Sequence, residues 1–471
     1  MSQSFATSAA RSDYPLGIPS QSERRSMDLA NIAKGVCSGL FVSQRTLSDI
    51  LSTSVKAETD DGLAVRIDVD EANQLVLART DDGQQRAARI VGDHGAIVLP
   101  LGTSKPFFTP EPIAPNLADS PWPEAVPSEE WDADKLLAAA KTAFSSPPDT
   151  FTAAFLIAHK GKLIAERYRQ GITAHTQLPS WSMGKTLTAI LIGRLIHMGH
   201  FALDQPAPIA AWQRDARAKI TVRDLLQMSS GLDFTATWAQ DYKPDMGYPD
   251  HTLIYGGAID SYQLALSRTA AHASGTLGAY KNGDTLALGF LIKQACAQMG
   301  EPYLPWPQKA LFDPLGIDRF VLEPDPYGNL LLSGFNYGTA RHWAKLGQLL
   351  LQDGLWAGER LLPEGYVEFL MTPAEGWRGR YWMEDGPPGW RGSIYGGQLW
   401  LNRYPEEDQW PLPDDACFML GMGGQYTWIV PSMDLVIVRM GHVRGLLETN
   451  AGREPLSSAL SGVMGAYKPL L

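Results

Sequence analysis

Apolar and polar positions along the chain follow two rhythms. From Met27 to Leu51 the spacing is helical, in ANIAKGV and then TLSDIL. Four short alternating runs follow: LAVRIDV (63–69), QLVLART (74–80), QRAARIV (85–91) and AIVLP (96–100). DDG, DDGQ and GDHG separate them, which is hairpin chemistry. The proline-dense stretch 101–130 reads as a linker. A helix (131–144, WDADKLLAAAKTAF) then leads into two strands, FTAAFLIAHKG and KLIAERYR, joined by a Lys-Gly turn. The text is helix-rich from Ser182 to about Gly347, and strand signals return in YGGQLWLN, QYTWIVPS and LVIVRMG before a last helical segment, Glu454 to Tyr467. Strands first, helices inserted and strands last predict one sheet interrupted by a helical subdomain, an α+β arrangement. Three parts are expected: a flexible arm at 1–27, a small α+β module with its linker at 28–120, and a main domain at 121–471.

Composition narrows the partners. Hydrophobic residues make up 44% and charged residues 19% of the 471 positions, as in a folded enzyme. With 40 Lys+Arg against 51 Asp+Glu, a net charge of -11 and no basic run, nucleic acid is not the expected partner. Cys37, Cys296 and Cys417 are far apart and never in CxxC spacing, so no zinc knuckle or disulfide framework is written here. The first residues lack the apolar core of a secretory signal, and no apolar run is long enough to span a membrane. As given, the sequence reads as cytoplasmic, or as periplasmic if a signal has been removed.

Candidate chemistry starts with PSWSMGKTLTA (179–189). Ser182 opens a stretch that is apolar nearly all round, the pattern of a buried central helix. A serine in a first helical turn meets unsatisfied N–H groups and a positive dipole, which favour a developing oxyanion. Lys185, three residues on, shares its face, and a lysine in an apolar site can shed its proton near neutral pH and serve as a base. The competing reading is an α/β-hydrolase nucleophile elbow, with Ser180 in place of glycine; it needs a strand entering Ser182 and a later histidine base. QGITAHTQLPS carries no strand pattern, so that reading ranks second.

Tyr280 and Asn282 precede an amphipathic helix. A tyrosine there can shuttle a proton to a leaving group, and an asparagine amide can hold both lysine and substrate. Tyr327 and Asn329 repeat the Y-x-N spacing inside DPYGN, which reads as a turn. In LGMGGQYTWIV the glycines before a strand, Gly424 among them, allow close backbone approach, and the N–H of Gln425 is a candidate second oxyanion donor beside that of Ser182. Residues 233–258 are aromatic, acidic and glycine-bearing; they could form a substrate-covering flap with Trp238, Asp241 and Tyr242 as contacts, or simply a packed surface loop. His197 and His200 lack the acidic companion of a metal motif and are read as core and helix-end residues, and His442 has no assigned role.

In this order, SMGK, YKN and MGG resemble the three motifs of the serine β-lactamase and penicillin-binding-protein superfamily. The branch they resemble most is that of the class C-like esterases and amidases, which includes the 6-aminohexanoate-dimer hydrolases. GKLIAERYRQG, TVRDLLQMSSGLDF, LFDPLGI and ARHWAKLGQLLLQDG are similar to family text, and the likeness covers roughly 131–471. It implies a β-lactamase/transpeptidase-like α+β fold, an antiparallel sheet flanked by helices. It further implies Ser182 as acylated nucleophile, Lys185 as its base, Tyr280 as proton relay and Asn282 as positioner of Lys185 and substrate, with no metal or cofactor. The third motif departs from the pattern: Met422 stands where β-lactam-binding members carry Lys or His. A carboxylic ester or small linear amide is therefore the expected substrate, with β-lactamase or D-amino-acid peptidase activity as the alternative. A silent, ligand-binding member of the fold is the competing possibility from another class.

Overall fold

A computed structural model describes residues 19–116, 122, 129–145, 150–236, 248–378, 394–403, 409–443 and 453–468. Its main sheet has seven strands, in the order Ile394–Tyr395, Trp400–Leu401, Cys417–Gly421, Gln425–Val430, Leu435–Val443, Thr150–His159 and Lys162–Tyr168. Every pairing is antiparallel. The register Leu435↔His159 through Val443↔Thr150 joins the two ends of the main domain, and the helix-rich chain lies between them. Lys160 (φ 51) and Gly161 (φ 69) close the hairpin between the last two strands with the twist of a two-residue turn.

Both faces of this sheet are covered, so its strands read as nearly continuous apolar text rather than as strict alternation. Leu156, Val436, Val438 and Ile429 pack toward the central helix Met183–His197. Phe155, Ile157, Ile437 and Trp428 face the other way, against the helices Ala133–Thr142 and Arg453–Ala466. The result is a three-layer sandwich around one antiparallel sheet, the α+β fold that the motif order implies.

The expected strand YGGQLWLN is two short strands, Ile394–Tyr395 and Trp400–Leu401, paired with each other. The chain reverses between them: the Gly396 amide donates to the Leu399 carbonyl at 2.8 Å and Gln398 takes φ 57. Gln398 earns that conformation through its contacts. Its carbonyl accepts from Thr186 (2.6 Å) on the central helix, and its side-chain oxygen accepts from Thr285 (2.8 Å) on the helix Asn282–Met299.

N-terminal to this body, the strands Arg66–Asp70, Leu75–Arg79, Gln85–Ile90 and Ala96–Val98 form an antiparallel meander under the helix Gln21–Phe41. Leu29, Ala33, Val36, Val76, Ala78 and Ala88 make its core. The helix starts at Gln21, within the stretch expected to be a flexible arm. Ser20 and Glu23 form a reciprocal capping box, worth about 1 kcal/mol, and this S-x-x-E signature is readable in the sequence. Residues 1–18 lie outside the described residues. The described part of the proline-dense stretch is tied down: the Phe107 amide donates to the Pro326 carbonyl (2.8 Å) and the Leu304 amide to Glu111 (3.2 Å). Among the described residues no helix is long and apolar enough to cross a membrane.

Candidate active site

Ser182 is the N-cap of the central helix, with αR backbone angles, and Trp181 before it sits at φ 47. A non-glycine residue in the left-handed region costs about 1 kcal/mol or more and persists only where its surroundings hold it. Here Trp181 is wedged against Phe335 (4.9 Å between ring centroids) and Tyr255 (6.0 Å). Two glycines then set the close approaches. A Cβ on Gly184 would strike the Leu332 carbonyl and Asn336, so the first helical turn lies directly on the 332–336 segment. A Cβ on Gly421 would strike the Ser180 carbonyl, so the strand ending in the third motif abuts the serine turn.

Lys185 is 1% exposed. Its Nζ donates to Ser182 Oγ at 2.9 Å and to the Ser333 carbonyl at 3.2 Å, and it lies 4.9 Å from the centroid of the Tyr280 ring. Burial penalises the ammonium form and lowers its pKa to about 7. The Tyr280 hydroxyl is hydrogen-bonded to Ser182 as well, and burial raises its pKa well above the usual phenol value. At neutral pH the lysine can therefore be neutral while the tyrosine keeps its proton. Two groups on one oxygen have had their proton affinities driven apart, which suits one to act as base and the other as proton donor.

Asn282 is buried at the first position of its helix, where it meets the Tyr255 hydroxyl rather than Lys185. The second grip on Lys185 comes instead from the Ser333 carbonyl. Tyr255, which also bonds Ser333 Oγ at 3.0 Å, thus joins the Y-x-N motif to the wall behind the lysine. Lys281, between the two motif residues, faces away from the serine. It donates to the Leu232 carbonyl (3.0 Å) and lies 3.7 Å from the buried Asp284 carboxylate, which accepts from Ser230 (2.6 Å). That inward anchor leaves Tyr280 and Asn282 on the side of Ser182. Tyr327, by contrast, is 41% exposed on a turn against Phe107, and Asn329 bonds Asp325, Asp260 and Lys293.

The third motif ends the strand Cys417–Gly421, where Met422, Gly423 and Gly424 turn the chain into Gln425. Met422 is 40% exposed. The Gln425 side chain is spent on structure: its Nε2 donates to the Gly441 carbonyl (2.6 Å) and its Oε1 accepts from the Gly441 amide (2.8 Å). Only its backbone N–H remains a candidate for substrate. Arg439, fully buried in LVIVRMG, donates to the carbonyls of Gly423 (2.6 Å) and Gly424 (2.8 Å) and so holds the turn's shape. Burial lowers its pKa to about 10, still cationic at neutral pH.

Trp238, Asp241 and Tyr242, the proposed flap contacts, fall in 237–247, outside the described residues. His197 is exposed in the last turn of the central helix, not in the core, and His200 is half-buried beyond it. His442 is buried on a strand, its pKa well below the usual value through burial and the nearby Arg45, Arg169 and Arg439. Among the described residues no cluster of His, Cys, Asp or Glu is arranged to hold a metal ion. Sequence reasoning missed Tyr255, Ser333 and Arg439. Of these only Arg439 left a signal: a lone charge in a wholly apolar strand must be paired inside the protein.

Comparison with known proteins places the fold in a family. The family model described as "Beta-lactamase" matches residues 140–456. The chain belongs to that family. It is 23% identical over 309 residues to the 6-aminohexanoate-dimer hydrolase of Paenarthrobacter ureafaciens, covering 62% of this chain and 73% of that one. Two solved structures show the same fold. One is a penicillin-binding-protein homologue from Caulobacter crescentus (TM-score 0.53, 16% identity, 72% of this chain and 99% of that one). The other is EstCE1, a hydrolase with promiscuous acyltransferase activity (TM-score 0.52, 16% identity, 70% and 98%). This beta-lactamase-family hydrolase therefore has no use for the α/β-hydrolase elbow reading. Its main sheet is antiparallel throughout, the strand before the serine is only Leu178–Pro179, and the groups on Ser182 Oγ are a lysine and a tyrosine.

Proposed function

We propose that this hydrolase cleaves a carboxylic ester or small linear amide through an acyl-enzyme on Ser182. The observation that carries this reading is Lys185 Nζ at 2.9 Å from Ser182 Oγ, in a site that lowers the lysine's pKa to about 7. Neutral Lys185 takes the Ser182 proton as Oγ bonds to the substrate carbonyl carbon. Negative charge collects on the carbonyl oxygen, where the backbone N–H groups of Ser182 and Gln425 are the proposed donors. Collapse breaks the bond to the leaving oxygen or nitrogen, which takes a proton from Tyr280. The proton held by Lys185 restores the tyrosine, and water then attacks the acyl carbon by the reverse choreography.

Met422 supports the substrate class. An exposed thioether at the start of the third motif offers no charge to a substrate carboxylate, whereas it packs well on an apolar acyl or leaving group. The names of the relatives, a 6-aminohexanoate-dimer hydrolase and a hydrolase with promiscuous acyltransferase activity, fit acyl transfer to water from such substrates.

Two expected results test this. kcat/KM for an activated ester should rise as Lys185 loses its proton, on a limb centred near pH 7; a flat profile from pH 5 to 9 would remove the lysine from the base role. Tyr280→Phe should lower kcat for an anilide by roughly 10²–10³-fold and for a nitrophenyl ester far less, because nitrophenolate leaves without a proton. Equal losses on both substrates, or a larger loss from Tyr327→Phe, would contradict the relay.

A further inference from the structure

The N-terminal helix and meander lie outside the residues that the family model matches, 140–456, yet Glu323 ties them to the wall of the catalytic site. Glu323 is completely buried in the main body. Its carboxylate meets Lys34 Nζ at 2.5 Å and accepts from Ser38 Oγ (2.7 Å) and from the Ala96 amide (2.8 Å). All three partners belong to the N-terminal part, and Lys34 also donates to the Ala96 carbonyl. The Glu323 backbone faces the opposite way. Its amide donates to the Phe335 carbonyl (3.3 Å) and its carbonyl accepts from the Leu331 amide (2.9 Å). Those two bonds bracket Ser333, whose carbonyl is the second acceptor for Lys185.

Side chains reinforce the same connection. Lys34 Nζ sits 4.6 Å from the centroid of the Phe335 ring, which also packs on Trp181 and Tyr255. Tyr255 holds Ser333 Oγ at 3.0 Å and meets Asn282. The helix that carries Tyr255, Asp250–Gly256, is itself pressed on the N-terminal helix, because a Cβ on Gly256 would strike the Met27 carbonyl.

We infer that the N-terminal part is a working component of the active site, with Lys34 and Glu323 as positioning residues that fix the Ser333 carbonyl and thereby aim Lys185 at Ser182. Neither residue touches substrate. The pair is buried and its carboxylate has three donors, so it holds one geometry as a solvated surface pair does not. A shift of about an ångström in the lysine ammonium is enough to lower an acylation rate by an order of magnitude or more.

The inference rests on the acyl-enzyme reading, and one experiment separates the two. The full-length protein and three variants are compared with a p-nitrophenyl ester for kcat and KM and with a fluorophosphonate for the rate of Ser182 labelling, alongside melting temperature. Lys34→Met/Glu323→Leu removes both charges together and avoids stranding one of them. Ser38→Ala is the mild variant, removing one grip on the carboxylate. Lys34→Arg keeps the charge and is the rescue. Expected are a fall in kcat and labelling rate of about tenfold or more in the double variant and two- to fourfold in Ser38→Ala, with KM within twofold, and near-normal rates in Lys34→Arg. Wild-type kcat and labelling rate in a folded double variant would overturn the positioning role and leave the pair as scaffolding; if the double variant does not fold, unchanged rates in Ser38→Ala do the same. Absence of Ser182 labelling in the wild-type protein would instead strike the acyl-enzyme reading, and the positioning role with it.

Discussion

Replacing Ser182 with alanine is expected to lower kcat/KM for a nitrophenyl ester by at least ~10⁴-fold, with the melting temperature within a few degrees of the parent. The loss is large because both polarised groups converge on this one oxygen: Lys185 at 2.9 Å and Tyr280 through its hydroxyl. The fold tolerates the change because Ser182 caps nothing. As N-cap it makes no side-chain capping bond, and its half-buried hydroxyl leaves no cavity of consequence. Steady-state hydrolysis decides the matter. Turnover within tenfold of the parent would remove Ser182 from the mechanism.

Lys185→Met should cut turnover by ~10³–10⁵-fold and at the same time make the protein more stable. The native state holds this lysine's pKa near 7, against an ordinary value of 10.5. Between those two pH values the unfolded chain binds more protons than the native one, so parent stability rises with pH across that window. Below pH 7 the full penalty is present, about 3–5 kcal/mol from the size of the shift. It shrinks to about 1 kcal/mol by pH 10. Urea unfolding at pH 6 should therefore show the methionine variant more stable by a few kcal/mol, and at pH 10 the two proteins should nearly coincide. A variant that is both inactive and less stable at pH 6 would mean that Lys185 is a native-state cation held by partners, not a neutral base.

Much of this candidate site is legible in the sequence. The central helix announces itself because it is apolar on every side, and a single lysine inside such a helix has no solvent to reach; the S-x-x-K spacing then puts it one turn from Ser182. The choice of Tyr280 over Tyr327 also follows from local text, since one precedes a long helix and the other sits in a turn. What escaped is the part that tertiary structure builds from backbone. Ser333 contributes a carbonyl, which any residue carries, and the apolar segment LLLSGF around it signals only burial. Tyr255 lies in a stretch that reads as a loop, and its hydrogen bond to Asn282 joins two segments that no local pattern links. The break in YGGQLWLN was hidden for a similar reason: Gln398 turns there to satisfy two helices distant in sequence. Arg439 was readable in principle, as a buried charge in need of acceptors, although not which carbonyls it would hold.

The most direct test of the acyl-enzyme assignment is intact mass spectrometry after exposure to a fluorophosphonate at pH 8, on the parent protein and on Ser182→Ala side by side. One adduct per chain on the parent, mapped to the peptide bearing Ser182 and absent from the alanine variant, is the expected result. An adduct of equal yield on Ser182→Ala, or none on a folded parent protein, would contradict Ser182 as the nucleophile.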